Sequence, residues 1–120
     1  MTGIHINKDP ERLSVSVTAK GHAGIAPRGE DIICAAISTL LYGYGAEIAT
    51  LDDRSIRERV VDMGKEKPAD ATVMVVCKNE RTYKRVLCNL APIEKALMAL
   101  AEMYPHAVTL SNQVLHAERR

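Results

Sequence analysis

Tryptophan and phenylalanine are absent from this 120-residue chain, and Tyr42, Tyr44, Tyr83 and Tyr104 are its only aromatics. Its interior must therefore be assembled from Ile, Leu, Val, Met and Ala. The lack of aromatics also removes the stacking platforms of a single-strand nucleic-acid groove, and a formal net charge of +1 supplies no electrostatic footprint for one. The densest run of cations (Arg54, Arg57, Arg59, Lys65, Lys67) is interleaved with Asp52, Asp53, Glu58, Asp62 and Glu66. It reads as a solvated mixed-charge surface, and no nucleic-acid partner is expected.

Clustered CxxC or HxxxH spacings are missing too, so neither a metal nor another cofactor is expected. The sequence has no basic-then-apolar leader, and no uninterrupted apolar stretch reads as long enough to span a bilayer. Cys34, Cys77 and Cys88 leave one thiol over in any pairing scheme. The expectation is a cytoplasmic protein with free thiols and no membrane partner, which disfavours a Cys77–Cys88 disulfide. Cys77 and Cys88, like His5, His106 and His116, are expected to be structural or incidental.

A charged fraction of 26% and an apolar fraction of 47% suit one globular domain, residues 1–120, large enough to bury a core without covalent staples. Ile4-His5-Ile6 and Leu13-Ser14-Val15-Ser16-Val17-Thr18 alternate with period two around turn-forming Asn7, Lys8, Asp9 and Pro10, predicting a hairpin over 3–19. Leu13, Val15 and Val17 should face the core. Gly21, Gly24, Pro27 and Gly29 predict a loop over 21–29. Helical spacing then governs 31–50 through Ile33, Ile37, Leu40, Leu41, Tyr44 and Ile48. Gly43 and Gly45 weaken its later turns and admit close approach of another backbone.

A second hairpin is predicted from Ile56–Asp62 and Ala71–Cys77, joined across 64–70. A second helix covers 80–104, with Pro92 expected to kink or restart it. A last strand is placed at 107–110 and a frayed tail at 112–120. The order ββα-ββα-β predicts an α+β fold: one largely antiparallel sheet with two long helices on one face.

The residues with most chemistry are His22, in the glycine-rich loop, and Cys34, near the start of the first helix. With Asp31 as the helix cap, Cys34 falls at the third helical position, where unpaired amides and the helix dipole favour thiolate. A folded-back loop brings imidazole to sulfur. The pair then carries out acyl transfer, with Cys34 as nucleophile and His22 as general base and then acid. Asp31, Cys34 and Ser38 share one side of the helix. Asp31 either orients His22 or only caps the helix, and Ser38 either joins the site or bonds back to its own helix. The Cys34 amide with a loop amide is one candidate oxyanion hole.

The segment Gly21-His22-Ala23 … Gly29-Glu30-Asp31-Ile32-Ile33-Cys34-Ala35-Ala36-Ile37-Ser38 resembles the signature of the ribosomal-processing cysteine proteases, the Prp family. The resemblance extends more loosely over most of the chain, and it departs at Ile25, where the family often has an aromatic. It implies that His22 and Cys34 are a catalytic dyad. Gly21, Gly24 and Gly29 would belong to the mobile loop, with Asp31 and Ser38 in support. It further implies a homodimer whose peptide substrate is the N-terminal extension of a large-subunit ribosomal protein or, as in phage-encoded relatives, a virion protein. The competing readings are a non-catalytic peptide- or ribosome-binding module and a thiol redox sensor.

Overall fold

The computed structural model describes residues 2–21, 28–64 and 70–114, with the first helical turn, 28–31, described as backbone alone. Five strands and two long helices follow one another as β1 (Thr2–Asp9), β2 (Ser14–Gly21), α1 (Arg28–Ala49), β3 (Ile56–Asp62), β4 (Ala71–Cys77), α2 (Glu80–Met103) and β5 (Val108–Val114). The strands form one sheet in the order β3-β4-β2-β1-β5. Every pairing is antiparallel except that of β5 with β1. The sheet is therefore mixed, and each helix is a crossover: α1 carries the chain over β4, and α2 carries it over β2 and β1.

Period-two alternation decides which face is covered. Ile4, Ile6, Val15, Val17, Ala19, Val73, Val75 and Cys77 lie on one face and are buried. His5, across the ladder from Thr18, is exposed on the other. Two helical stripes close the core: Ile33, Ile37, Leu41, Tyr44 and Ile48 from α1, and Tyr83, Val86, Leu90 and Leu97 from α2. By length and composition alone, Ile32–Ala49 is long and apolar enough to cross a membrane, which corrects the expectation that no such stretch exists. About a third of that segment is buried, and the buried part includes the stripe that covers the sheet.

Local chemistry fixes the ends of these elements. Asp9 accepts hydrogen bonds from the amides of Glu11 and Arg12 (3.1 Å each), which closes the β1–β2 turn. Leu13 completes that turn at φ 59°, a backbone region uncommon for a side-chain-bearing residue, and its carbonyl is tied to the Cys77 amide at 2.8 Å. Arg59 on β3 satisfies the end of α1. Its Nη1 donates to the carbonyls of Ile48 at 2.8 Å and Leu51 at 2.9 Å, groups that a helix terminus leaves unpaired. Asn79 caps α2 by accepting from the Thr82 amide at 2.8 Å.

Four expectations change. Helix α1 begins at Arg28, ahead of Asp31, because a first turn needs no intrahelical amide bonds and can precede the buried stripe. Helix α2 runs unbroken through Pro92. Pro92 is exposed, while Val86, Leu90 and Leu97 anchor both halves to the core. Strand β5 extends to Val114, so Asn112–Val114 are paired with β1 where a frayed tail was expected. Among the described residues nothing lies within 4 Å of where a Cβ on Gly43 would sit. Gly45 is closely packed, but against the side chains of Val61, Met63 and Val73 and not against the backbone that was expected.

Candidate active site

Cys34 sits in the second turn of α1, half-buried, over the end of the sheet where β1 and β4 begin and β2 and β3 finish. Its Sγ lies 3.5 Å from the Oγ1 of Thr2. Thr2, Ala19, Ser38, Met63 and Ala71 share with Cys34 a recess of about 30 Å3, room for roughly one water or methyl group. Ile37 and Leu41 complete the lining, so the sulfur, half-buried, lies at a largely apolar recess whose polar neighbours are Thr2 and Ser38.

Antiparallel register builds this place. Ala19 pairs with Ala71, and Thr2 pairs with Gly21, so residues far apart in sequence share the last rows of the sheet. Two small alanines leave the space that the recess occupies. Ser38, four residues after Cys34, lines the same recess, as helical spacing predicts.

Gly21 closes β2, and its amide donates to Asp70 Oδ1 at 3.4 Å. The next residue in the chain is His22, which lies outside the described residues, as does Gly24. Gly29 and Asp31 belong to the first turn of α1, where only the backbone is described, and Gly29 is helical rather than part of the loop.

The start of α1 revises the electrostatics. Cys34 is one turn deeper than a cap at Asp31 would place it. The helix dipole acts mainly within the first turn, and an amide at this depth is committed to the helix ladder. The Cys34 N–H is therefore withdrawn from the candidate oxyanion donors.

The other thiols are in different surroundings. Cys77 is buried in the core, and burial pushes its thiol up from the ordinary value. Cys88 is exposed on α2. Thr2, Met63, Asp70 and Ala71 were not singled out by sequence reasoning. The only sequence signal any of them carries is a hydroxyl at Thr2, where the period of β1 calls for an aliphatic residue.

The fold is α+β, with a half-buried cysteine at a recess on a crossover helix, and comparison with known proteins gives the class as thiol peptidase. The family of cysteine protease Prp matches residues 1–109, and the chain belongs to that family; it is a cysteine peptidase. A ribosomal processing cysteine protease Prp of Mycoplasma pneumoniae is 28% identical over 106 residues, covering 85% of this chain and 94% of that protein. In fold the chain is similar to the essential ribosomal processing protease Prp of S. aureus, solved with a substrate peptide. That match has a TM-score of 0.72 at 20% identity and covers 93% of this chain and 99% of the other. A Streptococcus mutans protein shares the fold at TM-score 0.68 and 22% identity, covering 96% of each chain.

Proposed function

We propose that this peptidase removes a short N-terminal extension from a large-subunit ribosomal protein, with Cys34 as nucleophile and His22 as general base and acid. The observation that carries the reading is the position of Cys34. It lies at a recess in the row of the sheet where Thr2 faces Gly21, and the next residue after Gly21 is His22. The Mycoplasma pneumoniae relative is named for ribosomal processing, which supports the substrate class.

In this reading His22 accepts the Cys34 proton, and the thiolate attacks the scissile carbonyl carbon. As the tetrahedral adduct collapses, the C–N bond breaks and His22 returns the proton to the leaving amine. A water deprotonated by His22 then cleaves the thioester, releasing the acid product and regenerating the thiol. Ser38 lines the site and Asp31 supports it from the preceding turn. The substrate lies extended, as an added strand or across the loop that leads to α1.

The reading includes a single domain over residues 1–120, a cytoplasmic location and a homodimer. Ile32 and Tyr42, which are 72% and 59% exposed on α1, support a self-association surface, and sedimentation analysis tests it. Synthetic peptides spanning N-terminal extensions of ribosomal and virion proteins, incubated with the protein and sequenced afterwards, test the function. One bond is expected to be cut in a ribosomal extension. Cys34→Ala and His22→Ala are each expected to lose about a thousandfold or more in rate. A Cys34→Ala protein that cleaves normally removes the assignment.

A further inference from the structure

Thr2 occupies a place where packing asks for no hydroxyl. Along β1 the core-facing row runs Thr2, Ile4, Ile6, and all three side chains are buried. At 5% exposure Thr2 is buried, and among the described residues Tyr44 also has a buried hydroxyl. A valine has the same branched shape and suits a strand at least as well. Burying a hydroxyl is unfavourable unless it is hydrogen-bonded. Among the described residues the partner of Thr2 Oγ1 is Cys34 Sγ at 3.5 Å.

The backbone holds this hydroxyl in place. The Thr2 amide donates to the Ala107 carbonyl at 2.7 Å, and Thr2 pairs with Gly21 on one side and Val108 on the other. A β-branched side chain flanked by two strands has little rotameric freedom.

We infer that Thr2 is a positioning residue for the nucleophile: its hydroxyl donates a hydrogen bond to the Cys34 thiolate and holds the sulfur at the mouth of the recess. This deepens the proposed function and rests on Cys34 being the nucleophile. While Cys34 carries its proton, either atom can be the donor. Once that proton has left, sulfur can only accept, and the bond becomes a charge-assisted O–H···S⁻ contact, stronger than its neutral form. Thr2 keeps its own proton throughout. The contact supplies the thiolate support that the depth of Cys34 in α1 withdraws from the helix dipole.

The test is the rate at which iodoacetamide modifies Cys34 at one neutral pH, read by peptide mass spectrometry so that Cys77 and Cys88 are scored separately. Thr2→Val is expected to slow modification of Cys34 about tenfold while melting no lower than the parent. Thr2→Ser is expected to restore the rate to within about threefold of the parent. Thr2→Ser and Thr2→Ala differ from each other only by the hydroxyl, so their comparison serves if valine is poorly accommodated; the serine variant should be the faster. Equal rates in that pair, or a parental rate in Thr2→Val, overturn the inference. The nucleophile assignment is scored separately, by peptide cleavage in Cys34→Ala, so failure of one reading is distinguishable from failure of the other.

Discussion

Asp70 accepts a hydrogen bond from the Gly21 amide, joining the residue before β4 to the last residue of β2. Gly21 is also the residue on which His22 is mounted, so this bond fixes where the chain departs toward the proposed base. Asp70→Ala is expected to lower peptide cleavage about tenfold by loosening that departure point. Asp70→Asn keeps a carbonyl oxygen and should remain close to the parent. Cleavage rates of the two variants, compared with their melting temperatures, check the prediction.

Arg59 closes the end of α1 from a neighbouring strand. Arg59→Met preserves the length of the stem and removes both bonds to the Ile48 and Leu51 carbonyls. A loss of about 1–3 kcal/mol is expected, read as a lower urea midpoint with an unchanged slope. Arg59→Lys should recover only part of it, since one ammonium cannot reproduce the geometry of the guanidinium.

Tyr44 has a buried hydroxyl without a hydrogen-bond partner among the described residues. Tyr44→Phe deletes that oxygen and is expected to gain about 1 kcal/mol at neutral pH. Burial first, and nearby Cys77 second, push the Tyr44 phenol above its usual range. An acid whose folded-state value is raised stabilises the fold below its unfolded value, and that contribution is lost as pH rises past about 10. The stability of the parent should therefore fall more steeply in alkali than that of Tyr44→Phe. Denaturant titrations between neutral pH and strong alkali check both parts.

The two glycines of α1 should respond differently to the same change. Gly43 faces open space, whereas a Cβ on Gly45 would lie 3.2 Å from the Val61 Cγ1. Gly43→Ala is expected to stabilise by about 0.5–1 kcal/mol through helix propensity alone. Gly45→Ala should gain less or lose, because Val61 must shift to admit the methyl. Thermal unfolding of both variants separates the two cases.

The elements with a strong local pattern were legible from sequence. Ala71–Cys77 is a β-rich apolar run and Ile56–Asp62 its hairpin partner across a turn-forming join, and both strands form with those bounds. Strand β5 extends through Ser111, Asn112 and Gln113, which carry no apolar signal. They are strand because the backbone of β1 offers them a ladder, a non-local cause. The order of strands is non-local in the same sense. At the site, Cys34 and Ser38 could be brought together by helical spacing, since both belong to one element. Thr2 and Asp70 reach the site only through strand register, and no local pattern announces that. The polar residue at a core-facing position of β1 was the readable trace.

The turn that Asp9 closes has a practical consequence. Pro10, Glu11 and Arg12 are exposed at the opposite end of β1 from Thr2, and eight strand residues span about 26 Å. A fluorophore or affinity handle grafted onto that tip would be held far from Cys34 by a stiff spacer. Cleavage and substrate capture could then be monitored without disturbing the end of the sheet where Cys34 sits.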